Sequence, residues 1–156
     1  MSNPIPQEIQ EFIKEGFVMT LAVADKNPWV NTIYYGCDDE LILYVVTGPE
    51  TRHGKVLKIN NNVAFNIFDS HQKITDNKIG IQGTGVCEPV TNVLELAKGL
   101  MLWHKANPGV ETQITAENIK LFSKRRIYKI TPNYLKLFNK ERFGGDGYLI
   151  WDGTQI

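Results

Sequence analysis

The sequence has few cysteines, no excess of charge of either sign and no long apolar run. Its 156 residues include two cysteines, and 17 lysines and arginines balance 17 aspartates and glutamates. A neutral chain lacks the surplus positive charge with which a general nucleic-acid binder displaces counterions from phosphates. It also lacks the polybasic segment of a membrane-surface protein. We therefore expect neither nucleic acid nor a membrane as a partner.

The cysteines and the apolar segments indicate the compartment. Cys37 and Cys87 lie far apart without a Cys-x-x-Cys pair, which favours reduced core thiols over a disulfide scaffold or a zinc site. The first ten residues, MSNPIPQEIQ, lack the basic start and apolar stretch of a signal peptide. No later segment approaches the roughly 20 apolar residues that a membrane span needs. We expect a cytoplasmic protein.

The length and composition are typical of one globular domain over residues 1–156. Hydrophobic residues make up 42% of the chain and charged residues 22%. A chain near 150 residues buries roughly 70% of the surface that its unfolded form exposes, so it needs no disulfide or metal to hold a core.

The hydrophobic pattern predicts a β-rich core with peripheral helices. Residues rich in β-branched and aromatic types alternate with turn compositions, and the first three such runs are connected tightly enough to require antiparallel pairing. The predicted strands are Phe17–Ala24, Trp29–Tyr35, Leu41–Thr47, Val63–Phe68, Lys78–Val90, Arg126–Thr131 and Tyr134–Asn139, the last two forming a pair around Pro132 and Asn133.

Helical spacing of apolar residues predicts the remaining elements. The predicted helices are Gln7–Glu15, Arg52–Asn60, a segment from Thr91 to Pro108 with Val93, Leu94, Ala97, Leu100, Met101 and His104 on its apolar face, and Thr115–Phe122. The fold class is mainly β with peripheral helices (α+β), in the form of a barrel of six or seven mostly antiparallel strands.

Common catalytic motifs are missing. The sequence contains no Gly-x-Ser-x-Gly elbow, no His-Glu-x-x-His helix and no phosphate-binding Gly-x-x-x-x-Gly-Lys-Ser/Thr loop. The glycines at 80, 83 and 85 lie within a predicted strand rather than at a strand-to-helix turn. His53, His71 and His104 lack metal-ligand spacing. We therefore name no catalytic side chain and no metal ligand.

The segment Thr47–Lys55 carries the strongest functional signal. It leaves a strand, turns, and starts a helix with Thr51 as N-cap and with Arg52 and Lys55 close behind. Free backbone N–H groups and positive side chains at such a position favour a phosphate. The alternative from the local sequence is a capped surface helix with solvated charges.

Phosphate contacts alone would bind a ligand weakly at this site. Two or three charge-assisted contacts contribute roughly 1.5–3 kcal/mol each, which is comparable to the ~4–15 kcal/mol lost on association. A larger planar or apolar group must therefore be bound as well. Candidates to hold it are the strand Val30–Tyr35, the strand around Gln82, and the aromatic residues Trp103, Phe143 and Trp151.

The order of these segments resembles the FMN-binding split-barrel family that includes pyridoxamine 5'-phosphate oxidase. Residues 47–64, TGPETRHGKVLKINNNVA, are similar to the family's Thr-Asn-x-x-Ser-Arg-Lys…Leu…Asn-Pro-x-Val-Ala pattern. Supporting matches are the strand from Pro28 to Tyr35, the Gly80-Ile81-Gln82 strand, and a C-terminal Tyr-x-Ile-x-Pro…Phe-Gly stretch. The resemblance covers roughly residues 10–150 and implies an FMN-binding split β-barrel.

The resemblance also implies the phosphate-binding residues. Thr51 and Arg52 match the family's Ser and Arg at the FMN phosphate, and Thr47 matches a Thr beside the flavin. His53 occupies the position of a family Lys, so that the second cation is either His53 or Lys55.

Other matches concern the ring and the partner. Asn31, Thr32 and Ile33 correspond to the strand along the isoalloxazine edge, mainly through backbone groups, and Gln82 corresponds to a contact with the ring or the ribityl-phosphate tail. Family members are homodimers with two FMN sites at the subunit interface. By its position, Trp103 is a candidate contribution from the partner subunit.

The function implied by the resemblance is an FMN-dependent oxidoreductase that transfers hydride or electrons to or from an unidentified small molecule, with NADH or NADPH as candidate donor. Residues Phe143–Ile156 lack the family's Arg-x-x-Arg-x-x-Trp ending, so pyridoxamine phosphate is not the expected substrate. Two alternatives stay open: a non-catalytic flavin- or haem-related binding module on the same barrel, and a small interaction protein whose Arg52 helix is merely solvated. A deazaflavin in place of FMN is also open.

Overall fold

The computed structural model describes residues 3–121 and 124–154. Within these ranges the chain forms seven strands and five helices. In chain order they are α1 (Gln7–Glu15), β1 (Val18–Ala24), β2 (Pro28–Cys37), β3 (Leu43–Thr47), α2 (Arg52–Leu57), β4 (Asn62–Phe68), β5 (Ile79–Pro89), α3 (Val93–Ala106), α4 (Ala116–Leu121), β6 (Arg126–Asn139), α5 (Lys140–Phe143) and β7 (Tyr148–Asp152).

The strands close into a six-stranded antiparallel barrel. Their order is β3-β2-β1-β4-β5-β6-β7, and β3 also pairs with β6, which joins the two sides. β7 is an additional strand that pairs with the second half of β6. This confirms the predicted mainly-β class with peripheral helices and antiparallel strands.

Alternate residues of the strands fill the barrel. On β1 the side chains of Met19, Leu21 and Val23 are buried while Thr20 is exposed, which is the period of two expected for a strand with one face on the core. The helix α1 adds the fully buried Ile9 and Ile13 to the same core. These side chains fill the barrel, while a second cluster, which includes Leu96 and Leu100 of α3 and Ile119 of α4, packs outside it.

The barrel is open at one place, between β2 and β3. β2 pairs with β1 from Pro28 to Tyr34, but it pairs with β3 only from Tyr35 to Cys37. β3 then diverges and pairs with β6 as far as Thr47. We call the gap between the unpaired part of β2 and the end of β3 the split.

The hydrogen-bond pattern shows which backbone groups face the split. The N–H of Tyr35 donates to the carbonyl of Phe17, which precedes β1 (2.8 Å). Backbone groups of successive residues in a strand point to opposite edges, so the odd-numbered residues of β2 face β1. Val30, Thr32 and Tyr34 consequently direct their backbone N–H and C=O groups toward the split.

The prediction of two strands around Pro132 and Asn133 is wrong, because β6 runs through both residues. Gly85 pairs with Pro132, whereas Thr84 pairs with Tyr134, so Asn133 is an extra residue on β6. Such a bulge tolerates proline, which has no N–H to contribute to the ladder. On β5 the register shifts between Thr84 and Gly85, at one of the glycines within the strand.

The predicted apolar face of α3 is wrong for most of its members, although Leu100 is buried as predicted. The buried residues are Leu96, Gly99, Leu100 and Trp103. Among the predicted face residues, Val93, Leu94 and Met101 are 57%, 81% and 63% exposed.

Two glycines explain which face of α3 is buried. A Cβ on Gly99 would lie 2.5 Å from the Tyr44 ring, and a Cβ on Gly36 of β2 would overlap the backbone carbonyl of Leu102. The helix therefore packs against the barrel where both surfaces lack a side chain. Hydrophobicity alone does not reveal this close approach.

Two helices differ in length from their predictions. α2 ends at Leu57 instead of Asn60, and the Asn60 side chain instead donates to the Ala24 carbonyl and accepts from the Asn62 N–H. α4 covers Ala116–Leu121, and the predicted end at Phe122 lies outside the described residues. None of the described helices is long and apolar enough to cross a membrane.

Replacing Gly36 with alanine should destabilise the fold by about 1–3 kcal/mol, since the new methyl group would push α3 away from β2. Chemical denaturation would measure this change. The exposed Lys73→Ala variant is the control and should unfold within about 0.5 kcal/mol of the wild type. Equal stabilities of the Gly36 variant and the wild type would contradict the close packing.

Candidate functional site

A contact between Arg52 and Trp29 bridges the split. Arg52 is the first residue of α2, on the β3 side, and its guanidinium carbon lies 4.1 Å from the ring centroid of Trp29 near the start of β2. A cation over an indole face is attracted by the negative potential of the ring. The N–H edges of the guanidinium remain able to donate to an anion.

Thr51 and Gly54 fix the start of α2. The Thr51 hydroxyl accepts from the Gly54 N–H (3.1 Å) and donates to the Gly48 carbonyl (2.7 Å). A Cβ on Gly54 would overlap the carbonyl of Gly48 and lie 2.8 Å from that of Pro49. Gly54 thus allows the helix to fold directly over the preceding turn, which sets the position of Arg52.

His53 is harder to protonate than an ordinary histidine. Its Nε2 atom shares a hydrogen bond of 2.5 Å with the Thr47 hydroxyl at the end of β3. The half-buried ring has a pKa below its usual value because burial disfavours the charged imidazolium. His53 therefore ties α2 to β3 and adds no positive charge to the site at pH 7.

Lys55 is the second positive side chain on α2 near the split. It is exposed, and its Nζ lies 4.0 Å from Glu50 Oε2. Glu50 also accepts a hydrogen bond from Lys58 at 3.1 Å, which is the main reason that the pKa of this carboxyl is below its usual value. Glu50 is thus bonded to Lys58 and lies at longer distance from Lys55, whose ammonium group stays exposed.

The predicted ring-binding residues of β2 differ in orientation. Ile33 is 6% exposed and belongs to the core, whereas the Thr32 side chain faces outward. The Asn31 Oδ1 atom is buried without a hydrogen-bond partner. A buried acceptor of this kind costs about 1–3 kcal/mol unless a donor reaches it.

Trp103 lies at the other end of the split and is buried in its own chain. It is 6% exposed, and its indole N–H donates to the Tyr34 carbonyl (3.1 Å). The indole thereby satisfies one of the backbone groups that β2 directs toward the split. Its role as a contribution from a partner subunit stays a prediction.

Gln82 is distant from this group in the same chain. The register places Thr32, Thr20, Asn66 and Gln82 at one level on the four neighbouring strands β2, β1, β4 and β5. Three strand spacings separate Gln82 from Thr32, or about 14 Å. Gln82 lies on the outer surface of the barrel, away from Arg52.

The structure therefore brings most of the predicted residues to the split and leaves Gln82 away from it. β2 contributes Asn31 and Thr32 on one side of the split, with the Ile33 side chain in the core. On the other side, β3 and the turn with α2 contribute Thr47, Thr51, Arg52, His53 and Lys55. The sequence reasoning missed Trp29, which it used only to begin a strand. The signal available for Trp29 in the sequence was an aromatic residue next to a predicted turn.

The two cysteines and possible metal ligands offer no further chemistry at this site. Both thiols are free, and burial raises the pKa of Cys37 to about 11 and that of Cys87 to about 12. Such thiols are protonated and unreactive at neutral pH. In residues 3–121 and 124–154 no group of three histidine, cysteine or acidic side chains could hold a metal ion.

The outer surface of the barrel is a broad and nearly uncharged face. The paired registers place alternate residues of six strands on it, and the charged members are Lys136 and Asp152. We call it the outer face. It comprises Val30, Thr32 and Tyr34 of β2, Val18, Thr20 and Ala22 of β1, Ala64, Asn66 and Phe68 of β4, Gly80, Gln82 and Thr84 of β5, Tyr134, Lys136 and Phe138 of β6, and Tyr148, Ile150 and Asp152 of β7.

Comparisons with known proteins agree with the barrel fold. The sequence matches the family described as pyridoxamine 5'-phosphate oxidase over residues 5–138. A curated relative, UPF0306 protein PM1958 of Pasteurella multocida (strain Pm70), is 40% identical over 81 residues, which are 51% of this chain and 54% of the relative. The chain thus matches about half the length of that relative.

Solved structures share the fold at low sequence identity. A heme-binding protein from Mycobacterium smegmatis superposes with a TM-score of 0.73 at 18% identity, over 97% of this chain and 60% of that chain. HutZ, the heme storage protein from Vibrio cholerae, gives a TM-score of 0.65 at 16% identity, over 83% of this chain and 91% of that chain. At these identities the likeness shows the fold alone.

The lowered pKa of His53 predicts a loss of stability in mild acid. The unfolded chain, with an ordinary histidine pKa of 6.5, takes up a proton before the folded chain does. The free energy of unfolding should therefore fall as the pH drops from about 7 to about 5. His53→Gln should flatten this part of the profile in chemical denaturation. Identical slopes in both proteins would contradict the buried neutral imidazole.

Proposed function

Because the chain belongs to the pyridoxamine 5'-phosphate oxidase family, we propose that it is a binding module for FMN, held in the split between β2 and β3. The observation that carries the proposal is the unpaired edge of β2, with the Arg52 guanidinium over Trp29 at one end of it. We also propose that the protein is located in the cytoplasm.

The free edge of β2 suits the ring of FMN. From Trp29 to Tyr34 the strand spans five residue steps, or about 16 Å. The backbone N–H and C=O groups of Val30 and Thr32 that face the split can bond to the polar edge of a flavin. The buried Asn31 Oδ1 needs a donor, and the flavin ring carries an N–H group. These features support the expected role of β2 through backbone groups.

The phosphate end is best supplied by Arg52 and Thr51. The guanidinium can stack on Trp29 through its face and donate to phosphate oxygens through its edge. The Thr51 hydroxyl is beside it at the start of α2. Since His53 is neutral, Lys55 is the better candidate for the second cation.

Haem is the competing ligand. The structural relatives from Mycobacterium smegmatis and Vibrio cholerae are described as a heme-binding and a heme storage protein. Haem is also planar and acidic, so Arg52 could bond to a propionate. Haem iron needs an axial ligand such as histidine, however, and the His53 imidazole has its Nε2 on Thr47, which leaves only Nδ1 as a candidate iron ligand there. The residues present fit FMN better.

A flavin oxidoreductase is the second candidate function, favoured by the family's description as an oxidase. Bound FMN would supply hydride or single-electron chemistry, while the protein supplies position and electrostatics. The chain's own part is to hold the ring edge on β2 and the phosphate on Arg52. Reduction of the bound cofactor by NADH or NADPH, with a small-molecule acceptor, would establish this activity. A bound flavin that neither donor reduces would instead support a non-catalytic binding module.

We also propose that two copies associate through the outer face. Several of its apolar side chains are unusually exposed, with Val30 at 58%, Tyr34 at 53% and Phe68 at 41%. A standard protein interface uses about 20–30 residues on each side, which a face of this width can provide. Because Val30 and Thr32 lie at the border of the split, a second copy on this face would cover the bound cofactor and bring its own Gln82 within reach.

Arg52→Gln should weaken FMN binding by at least about tenfold, because it removes a charge-assisted contact with phosphate. Fluorescence titration of purified protein with FMN and with riboflavin would measure this. The affinity for riboflavin, which lacks the phosphate, should fall much less in this variant. Lys73→Gln, an exposed change far from α2 in the sequence, is the charge-matched control. Wild-type protein that binds haem but no FMN, as judged by visible spectra, would overturn the choice of ligand.

Phe68→Glu should raise the dimer dissociation constant by more than about 100-fold, because burying an unpaired charge at an interface costs several kcal/mol. Sedimentation velocity at micromolar concentration would show the shift to monomer. The control is Ile74→Glu, an exposed apolar position (84%) in the loop before β5 that lies outside the outer face. A wild-type monomer, or a dimer in both variants, would contradict association through this face.

A further inference from the structure

The outward side of α3 carries apolar side chains that the rest of the described chain leaves uncovered. Val93, Leu94 and Met101 are each more than half exposed, and Ala97 is exposed between them. Residues three, four and seven positions apart lie on one side of a helix. These four residues therefore form a continuous apolar strip about 10 Å long, which we call the α3 stripe. A contiguous exposed patch of this kind is typical of an interaction surface.

Polar contacts hold α3 on the barrel and leave the α3 stripe free. The Asn92 side chain accepts two backbone N–H groups of the first helical turn (2.9 and 3.0 Å). Glu95 bonds to Lys129 of β6 (2.9 Å), and Lys98 bonds to the buried Asp38 after β2 (2.6 Å). A partner of α3 therefore meets a surface that is already ordered, and little conformational entropy is lost when it binds.

The same helix combines a projecting side chain with a hollow. Leu94 is the most exposed apolar residue of α3, at 81%. Two turns further on, a groove of about 540 Å³ runs beside the C-terminal half of the helix. Met101, Leu102 and Ala106 line this groove from α3, and residues 37–40 line it from the end of β2. A surface that contains both a projection and a hollow can be complementary to a copy of itself.

We propose that two copies of the chain associate through α3, with the two helices packed antiparallel about a two-fold axis close to Ala97. Leu94 and Met101 lie on either side of Ala97, at three and four residues from it. In an antiparallel pair, Leu94 of each copy consequently packs on Met101 of the other, at the edge of the groove. The small Ala97 side chain lets the helices approach closely where they cross.

Charges near the ends of α3 favour the antiparallel direction. Lys105 in the last turn and Glu88 just before the helix are both exposed, and neither forms an ion pair with another described residue. Antiparallel packing brings Lys105 of one copy to the helix end that carries Glu88 of the other. The helix dipoles also attract in this direction. Lys98 lies near the centre in both copies, but its bond to Asp38 offsets its charge there.

The α3 contact is smaller than the outer face and separate from it. A stable interface buries about 800 Å² on each partner, which is more than four side chains of one helix provide, so we expect association in the micromolar range. No residue of the α3 stripe belongs to the outer face. Both contacts can therefore form at once, and two different two-fold contacts on one chain produce a tetramer when they close. The α3 contact depends neither on a cofactor in the split nor on the outer face.

Leu94→Glu should raise the dissociation constant of the α3 contact by at least about tenfold, because it places a charge in an apolar seam. Sedimentation velocity from low to high micromolar concentration measures this change. Ile74→Glu, an equally exposed change outside α3, is the matched control and should associate as the wild type does. Because Leu94 is exposed, the variant should fold normally, which circular dichroism checks.

A second comparison keeps the two association surfaces apart. Self-association that is lost in Leu94→Glu and kept in Phe68→Glu would support the α3 contact and refute the outer face. Association that is lost in Phe68→Glu and unchanged in Leu94→Glu would overturn the α3 contact. Wild-type protein that stays monomeric at the highest concentration would overturn it as well.

A charge exchange tests the antiparallel direction. Lys105→Glu and Glu88→Lys should each weaken association by about threefold, since each replaces an attraction between exposed charges with a repulsion. The double variant Glu88→Lys/Lys105→Glu should recover the wild-type dissociation constant, because the opposite charges have only changed places. An indirect effect of either change on folding would not be rescued in this way. Equal dissociation constants in all four proteins would contradict the antiparallel pair.

A new thiol at the centre of the helix locates the axis. Ala97→Cys should form a disulfide-linked dimer under mild oxidation, because the two copies of this residue lie next to each other at the two-fold axis. Lys73→Cys, an exposed position in the loop before β5, is the control and should not cross-link to a comparable extent. The wild type should not cross-link either, since burial raises the pKa of both its thiols. Failure of Ala97→Cys to cross-link faster than Lys73→Cys would overturn the proposed axis.

Discussion

The change of partner by β3 is the constraint on which the site depends. β3 pairs with β2 for three residues and then with β6, and this second pairing closes the barrel. Closure leaves one edge of β2 unpaired, and buried backbone groups must find partners elsewhere. The indole of Trp103 provides one at Tyr34. The rest of the edge faces the split, where a ligand with polar atoms along its own edge can complete the pairing.

Positive charge gathers around the same gap through contacts between distant segments. Gly54 lets α2 fold back over Gly48 and Pro49, and this places Arg52 over Trp29 of β2. The pairing of Thr47 with Arg126 then brings the cations at the start of β6, Lys124, Arg125 and Arg126, to the end of β3. A protein with no net charge thereby presents a locally cationic surface, which suits one small anionic ligand better than a polyanion.

Much of the architecture follows from local patterns, and the failures have definite causes. Alternation predicts most strands within one or two residues, because one face of each strand must be buried. Proline suggests a break in β6, but a bulge opposite Gly85 accommodates Pro132. The apolar pattern of α3 selects the wrong face, because contact at Gly36 and Gly99 decides the packing and glycine carries no hydrophobic signal. The motif at Thr51 and Arg52 points to the split, whereas Trp29 and residues 124–126 have no motif.

The sequence by itself determines the strand-rich class, the capped turn at Thr51 and the family resemblance, because each depends on residues that are close together along the chain. Only the tertiary structure decides where β2 and β3 separate, that His53 is half-buried with a lowered pKa, and that Lys124 and Arg126 lie beside Gly48 and Thr47. These features depend on strand pairing between segments far apart in sequence. That pairing is set by closure of the whole barrel, which no local pattern records.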